Sequence, residues 1–165
     1  MADLWSMLED ELQTQATAIL GGAVDDLSIV TVLIDTVYDL DYLENHYELP
    51  VLLVVSVDAD EDAGPHGDGL QHVAMSYPFH LVAVAPAAVK RDAQRNAKEL
   101  RRRVLAFLRN TTVQAALESV IGDDGETVQR LDYANSGATV FGPANQDEGP
   151  YLAVAGVRFT IQTLV

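Results

Sequence analysis

No cysteine occurs in the 165 residues, which excludes a disulfide framework, a thiolate nucleophile and any cysteine-based zinc site. No lysine or arginine occurs before Lys90. No apolar run reaches the roughly 18 residues that a membrane-crossing helix needs, and the opening segment Met1 to Asp10 is acidic where a secretory signal is basic. These absences predict a soluble protein made inside the cell, with no membrane partner. There is also no Walker-type phosphate loop and no dinucleotide fingerprint.

What the chain does have is segregated charge. Sixteen acidic and no basic side chains precede residue 90; residues 90–109 hold eight of the ten Lys and Arg against Asp92 and Glu99; the remainder holds two basic and seven acidic. The net charge is −15. Blocks of opposite sign attract each other between copies of one chain as readily as they attract a different partner, so self-assembly is the first expectation. Asp outnumbers Glu and Arg outnumbers Lys; such a surface relaxes only when counterions screen it, as in proteins of high-salt habitats, so salt is expected to stabilise the fold.

With 48% hydrophobic residues, the chain suits one domain over 1–165 with a real core. Leu4, Trp5, Leu8, Leu12, Ala16, Ile19 and Leu20 recur at helical spacing and predict an amphipathic helix stopped by Gly21 and Gly22. The β-branched runs Ile29 to Ile34 and Val51 to Val57 predict strands covered on both faces. Asp35 to Leu49 lacks a clean period and reads as a loop or irregular arm. Residues 58–69 are mostly Asp, Glu, Gly and Pro and predict a flexible acidic loop.

Phe79 to Ala85 predicts a buried strand, with Pro78 limiting pairing before it. Pro86 suits the first turn of a helix whose stripe is Val89, Ala93, Ala97, Leu100, Val104, Phe107 and Leu108, with Asn110 as its stop. A shorter helix follows from Val113 to Ile121. Thr127 to Tyr133 and Ala138 to Phe141 flank Asn135, Ser136 and Gly137, a hairpin or a strongly bent strand. Val157, Phe159 and Ile161 alternate with Arg158, Thr160 and Gln162, an antiparallel strand with one wet face. The expected class is α+β, a mixed and largely antiparallel sheet with two main helices packed against it.

Few residues suggest chemistry. Asp58, Asp60 and Asp62 open like a calcium loop, but Ala63 and Gly69 stand where such a loop needs Gly and a bidentate Glu. His66 and His72 fit no standard metal spacing, His80 in an apolar strand reads as a core histidine, and Ser136 lacks the strand-turn-helix setting of a nucleophile elbow. The expectation is a protein without catalytic residues, metal or cofactor. The one sharp signal is the basic helix: Arg91, Arg95, Lys98 and Arg102 share one face, with Lys90, Arg101 and Arg103 beside them. Such a stripe can meet a neighbour's carboxylates, face solvent, or follow nucleic-acid phosphates.

The order of elements resembles the tail terminator (tail completion) proteins of long-tailed bacteriophages and archaeal tailed viruses. Leu49 to Val55, Tyr77 to Val84, the helix Ala93 to Leu108 and Gly156 to Ile161 carry the resemblance. It implies a structural virion protein, made in the host cytoplasm and placed at the tail or neck. It further implies a homo-oligomeric ring, typically a hexamer, that caps the tail tube and joins it to the head connector, with DNA passing through the lumen. Arg91, Arg95, Lys98, Arg101 and Arg102 become candidates for the subunit interface or the lumen. Another neck or tail-tube subunit, or a nucleic-acid-binding protein using helix 90–109, stays open beside it.

Overall fold

Leucine or alanine at four-residue intervals puts Leu4, Leu8, Leu12, Ala16 and Leu20 on the buried side of helix α1, Leu4–Leu20. Asp3 caps it by accepting a hydrogen bond from the Ser6 amide at 2.8 Å. The helix stops at Gly21, where a Cβ would lie 2.5 Å from the Thr17 carbonyl oxygen and 3.1 Å from that of Ile29. Glycine suits that position because a side chain would collide with the carbonyl of the helix's own last turn and crowd the returning chain at Ile29. The structure, a computed structural model, describes residues 3–22, 25–34, 39–56, 74–142 and 150–164. The loop expected over 58–69, with its three aspartates and His66, lies outside the described residues, as does His72.

The described residues form four helices and five strands: α1, β1 (Thr31–Ile34), α2 (Leu40–His46), β2 (Val51–Ser56), β3 (Ala74–Ala87), α3 (Lys90–Arg109), α4 (Thr111–Glu118), β4 (Thr127–Phe141) and β5 (Tyr151–Leu164). The sheet runs β1-β2-β3-β5-β4, with β1 parallel to β2 and every other pair antiparallel. The fold is α+β, with α1 and α3 packed on one face of the sheet. Helix α1 covers β1 and β2, whereas α3 covers β3, β5 and β4. The core between them includes Phe79 and Phe159, stacked at 5.7 Å, with Trp5 tilted against Phe79.

Several sequence expectations need correction. The arm at 35–49 contains helix α2, which buries only Leu43 and is capped by Asp39; seven residues with one anchor show no readable period. Leu43 packs with Val51, Leu53 and Val55 on the face opposite α1, so β2 is buried on both sides as expected. Strand β1 is not, because Ile34 stays 36% exposed at the sheet end. Pro86 belongs to β3 rather than to the helix, opposite Leu152. Pro78 likewise pairs, with Thr160. Both prolines fall outside the six residues that pair with β2, where β3 has a neighbour on one side only and a missing N–H is tolerated.

Val89 is the exposed N-cap of α3, not part of its buried stripe, which runs from Ala93 to Leu108 as expected otherwise. Helix α4 ends at Glu118, short of Ile121, which is exposed. The segment 127–141 is one bent strand, not a hairpin. Its register against β5 shifts between Val128 and Arg130 and between Tyr133 and Asn135, and each extra residue lets the strand bend without reversing.

Candidate functional site

Helix α3 turns its apolar stripe to the sheet, so at about 100° per residue Arg91, Arg95, Lys98 and Arg102 fall within about 60° of one another on the opposite side. All four are exposed, and so is Arg101. The structure therefore brings the five candidate cations together, but it does not leave them equivalent. Arg95 pairs with Asp92 at 2.9 Å and Arg102 with Glu99 at 2.6 Å, both within the helix. Among the described residues Arg91, Lys98 and Arg101 have no carboxylate partner. Exposed pairs contribute about 0 to 1 kcal/mol, so this arrangement does little for the fold.

Arg103 differs from them. Its side chain is only 21% exposed and reaches back to Glu99 and across to Asp25, in the turn after α1. Hydrogen bonds from Arg102, then Arg103, hold the Glu99 carboxyl down at about 2, and Arg103 lowers that of Asp25. A carboxylate with a depressed folded pKa stabilises the fold above its ordinary range and loses that contribution as pH falls towards the folded value. For Glu99 the window runs from 4.5 to about 2. Arg103→Ala is expected to cost about 1 kcal/mol at neutral pH and to flatten the fall in stability across that window. Urea midpoints at pH 7 and pH 3 check this; an unchanged acid slope in the variant would remove the clasp.

A second cluster was not apparent in the sequence. Glu126 is 5% exposed and accepts hydrogen bonds from the Tyr77 hydroxyl at 2.8 and 3.0 Å and from the Thr163 hydroxyl. Burial, then the hydrogen bond to Glu126, pushes the Tyr77 phenol above its ordinary range. The turn before Glu126 is closed by Gly122 and by Gly125, whose φ of 85° suits glycine. Tyr77, Trp5, Asp3, Asp123, Asp124 and Glu126 line an open groove of about 410 Å³. The indole N–H of Trp5 is buried there with no hydrogen-bond partner among the described residues. Tyr77 and Thr163, far from Glu126 and from each other in sequence, meet at its carboxylate, and no local spacing signals that.

His80 lies half-buried on the sheet face opposite α3, its Nε2 only 2.6 Å from where a Cβ at Gly156 would stand. Burial, then the adjacent Arg158, lowers its pKa. It borders a surface cavity of about 300 Å³ with Ser136 and Asn135. Among the described residues no group of three His, Asp or Glu stands close enough to hold a metal ion, and no helix is long and apolar enough to cross a membrane. The chain matches no family model and no curated protein sequence.

Proposed function

We propose that this chain is a structural virion protein, a tail terminator whose homo-oligomeric ring, a hexamer, caps the tail tube and joins it to the head connector. The observation that carries the reading is the placement of charge. Seven exposed cations stand on α3, five of them without a carboxylate partner among the described residues, while residues 3–56 offer carboxylates and no lysine or arginine. A contact between unlike surfaces, repeated by rotation, closes into a ring. The mixed sheet with two packed helices is the architecture that the resemblance implies.

Light scattering at about 0.2 M and about 2 M salt, where the Debye length falls from about 7 Å to about 2 Å, is expected to show one discrete species several times the 17.9 kDa chain mass. Exposed charge contacts weaken at the higher salt and desolvated ones persist. A monomer under both conditions sinks the ring. The unpaired Arg91, Lys98 and Arg101 favour one second reading, a nucleic-acid binder. That reading requires affinity for DNA or RNA that falls steeply with salt.

A further inference from the structure

The sheet has two different ends. Among the described residues β1 pairs with β2 alone and β4 with β5 alone. Helix α2, the connection between β1 and β2 on the sheet face opposite α1, exposes Asp41 and Glu44; its Tyr42, and Val30 just before β1, are each 51% exposed. No lysine or arginine stands among residues 3–56 to offset those carboxylates. The β1 end is acidic with apolar side chains in it.

The β4 end has the opposite character. Arg103 marks the flank of α3 that faces α1, because it reaches Asp25. Leu105 marks the other flank: with Leu131 and Tyr133 of β4 it lines a cavity of about 150 Å³ between helix and strand. Arg101 precedes Leu105 by four residues and Lys98 precedes it by seven, so both lie along that same flank. Neither has a carboxylate partner among the described residues. Tyr133 beside them is 59% exposed.

We infer that copies of this chain join end to end, the β4-facing flank of α3 in one copy seating on the acidic β1 end of the next. The inference deepens the ring reading by naming both of its surfaces, and it rests on that reading. A two-fold contact made at one end of the sheet alone would bring like ends together, cation against cation or carboxylate against carboxylate, and like charges placed face to face repel. Joining unlike ends is the arrangement in which charge attracts, and it is heterologous, the kind that rings require. Val30 and Tyr42 on one end and Leu105 and Tyr133 on the other supply apolar surface to cover within a charged border, the usual composition of such contacts.

A charge swap between two variants tests it. Lys98→Glu with Arg101→Glu reverses the β4 end; Asp41→Arg with Glu44→Arg reverses the β1 end. Each double variant alone is expected to be monomeric where the wild type is assembled, with affinity down by at least about 30-fold, the equivalent of about 2 kcal/mol. Mixed one to one, the variants are expected to regain the wild-type mass, because both kinds of junction are then oppositely charged; this recovery also proves that both fold. If a double variant loses its helical circular dichroism, Arg101→Glu and Glu44→Arg singly carry the same test. Variants that stay assembled alone, or monomers that fail to combine, overturn the end-to-end contact while leaving the ring standing. A wild-type monomer overturns both.

Discussion

Phe107→Ala is expected to destabilise the protein by about 3 to 5 kcal/mol, as truncating a fully buried aromatic does when its surroundings cannot collapse. Phe107 is 1% exposed and belongs to the core that α3 shares with α1 and the sheet. Single domains are stable by only about 5 to 15 kcal/mol, so one substitution removes a large fraction of the total. The functional consequence comes through α3, because this anchor holds the helix that presents the cations. Urea denaturation followed by circular dichroism would measure it. A loss below about 1 kcal/mol would mean that α3 is anchored elsewhere.

The Glu126 cluster is expected to give the second large effect. Glu126→Ala leaves the Tyr77 and Thr163 hydroxyls without their shared acceptor, at about 1 to 3 kcal/mol for each buried group left unsatisfied. A total of about 2 to 4 kcal/mol follows, since Tyr77 is only half-buried and Thr163 keeps a long contact to the Met75 carbonyl oxygen at 3.4 Å. Glu126→Gln keeps the shape and one set of hydrogen bonds, and loses less. The Tyr77 phenol titrates above its ordinary value of 10.0. It therefore stabilises the fold at pH below 10, and that contribution is lost as pH rises through the folded value. Ultraviolet titration should show one tyrosine that ionises only as the protein unfolds, and Tyr77→Phe should abolish that step. If all the tyrosines titrate together in the folded state, Glu126 does not hold the phenol.

Helices α1 and α3 were legible because each repeats an apolar residue every three or four positions for several turns. One ordered stripe of that kind has few alternatives. The alternation of β5 was equally plain, since one of its faces is wet from Val157 onward. The short helix α2 escaped notice because a single buried leucine makes no pattern, and Pro86 misled because proline is acceptable both in a helix's first turn and in a strand with one open side. In β4 the Asn-Ser-Gly turn signal is real as a local preference. Pairing with β5 along nearly its whole length overrides it, and two added residues absorb the bend.

The sequence by itself determined that positive charge collects on one helix face, since helical spacing alone puts Arg91, Arg95, Lys98 and Arg102 opposite the apolar stripe. The same spacing offers Asp92 to Arg95 and Glu99 to Arg102, each three residues apart on the helix. Only the tertiary structure decided that Asp25, 78 residues away from Arg103, takes that arginine, because a partner on another element depends on what lies within one side-chain length in space. The strand order decided as well that the acidic β1 end and the cationic β4 flank stand at opposite ends of one sheet. Spacing along the chain reports neighbours on the same element; the distance between elements is set by which strands pair, and that follows from burial of the whole core at once.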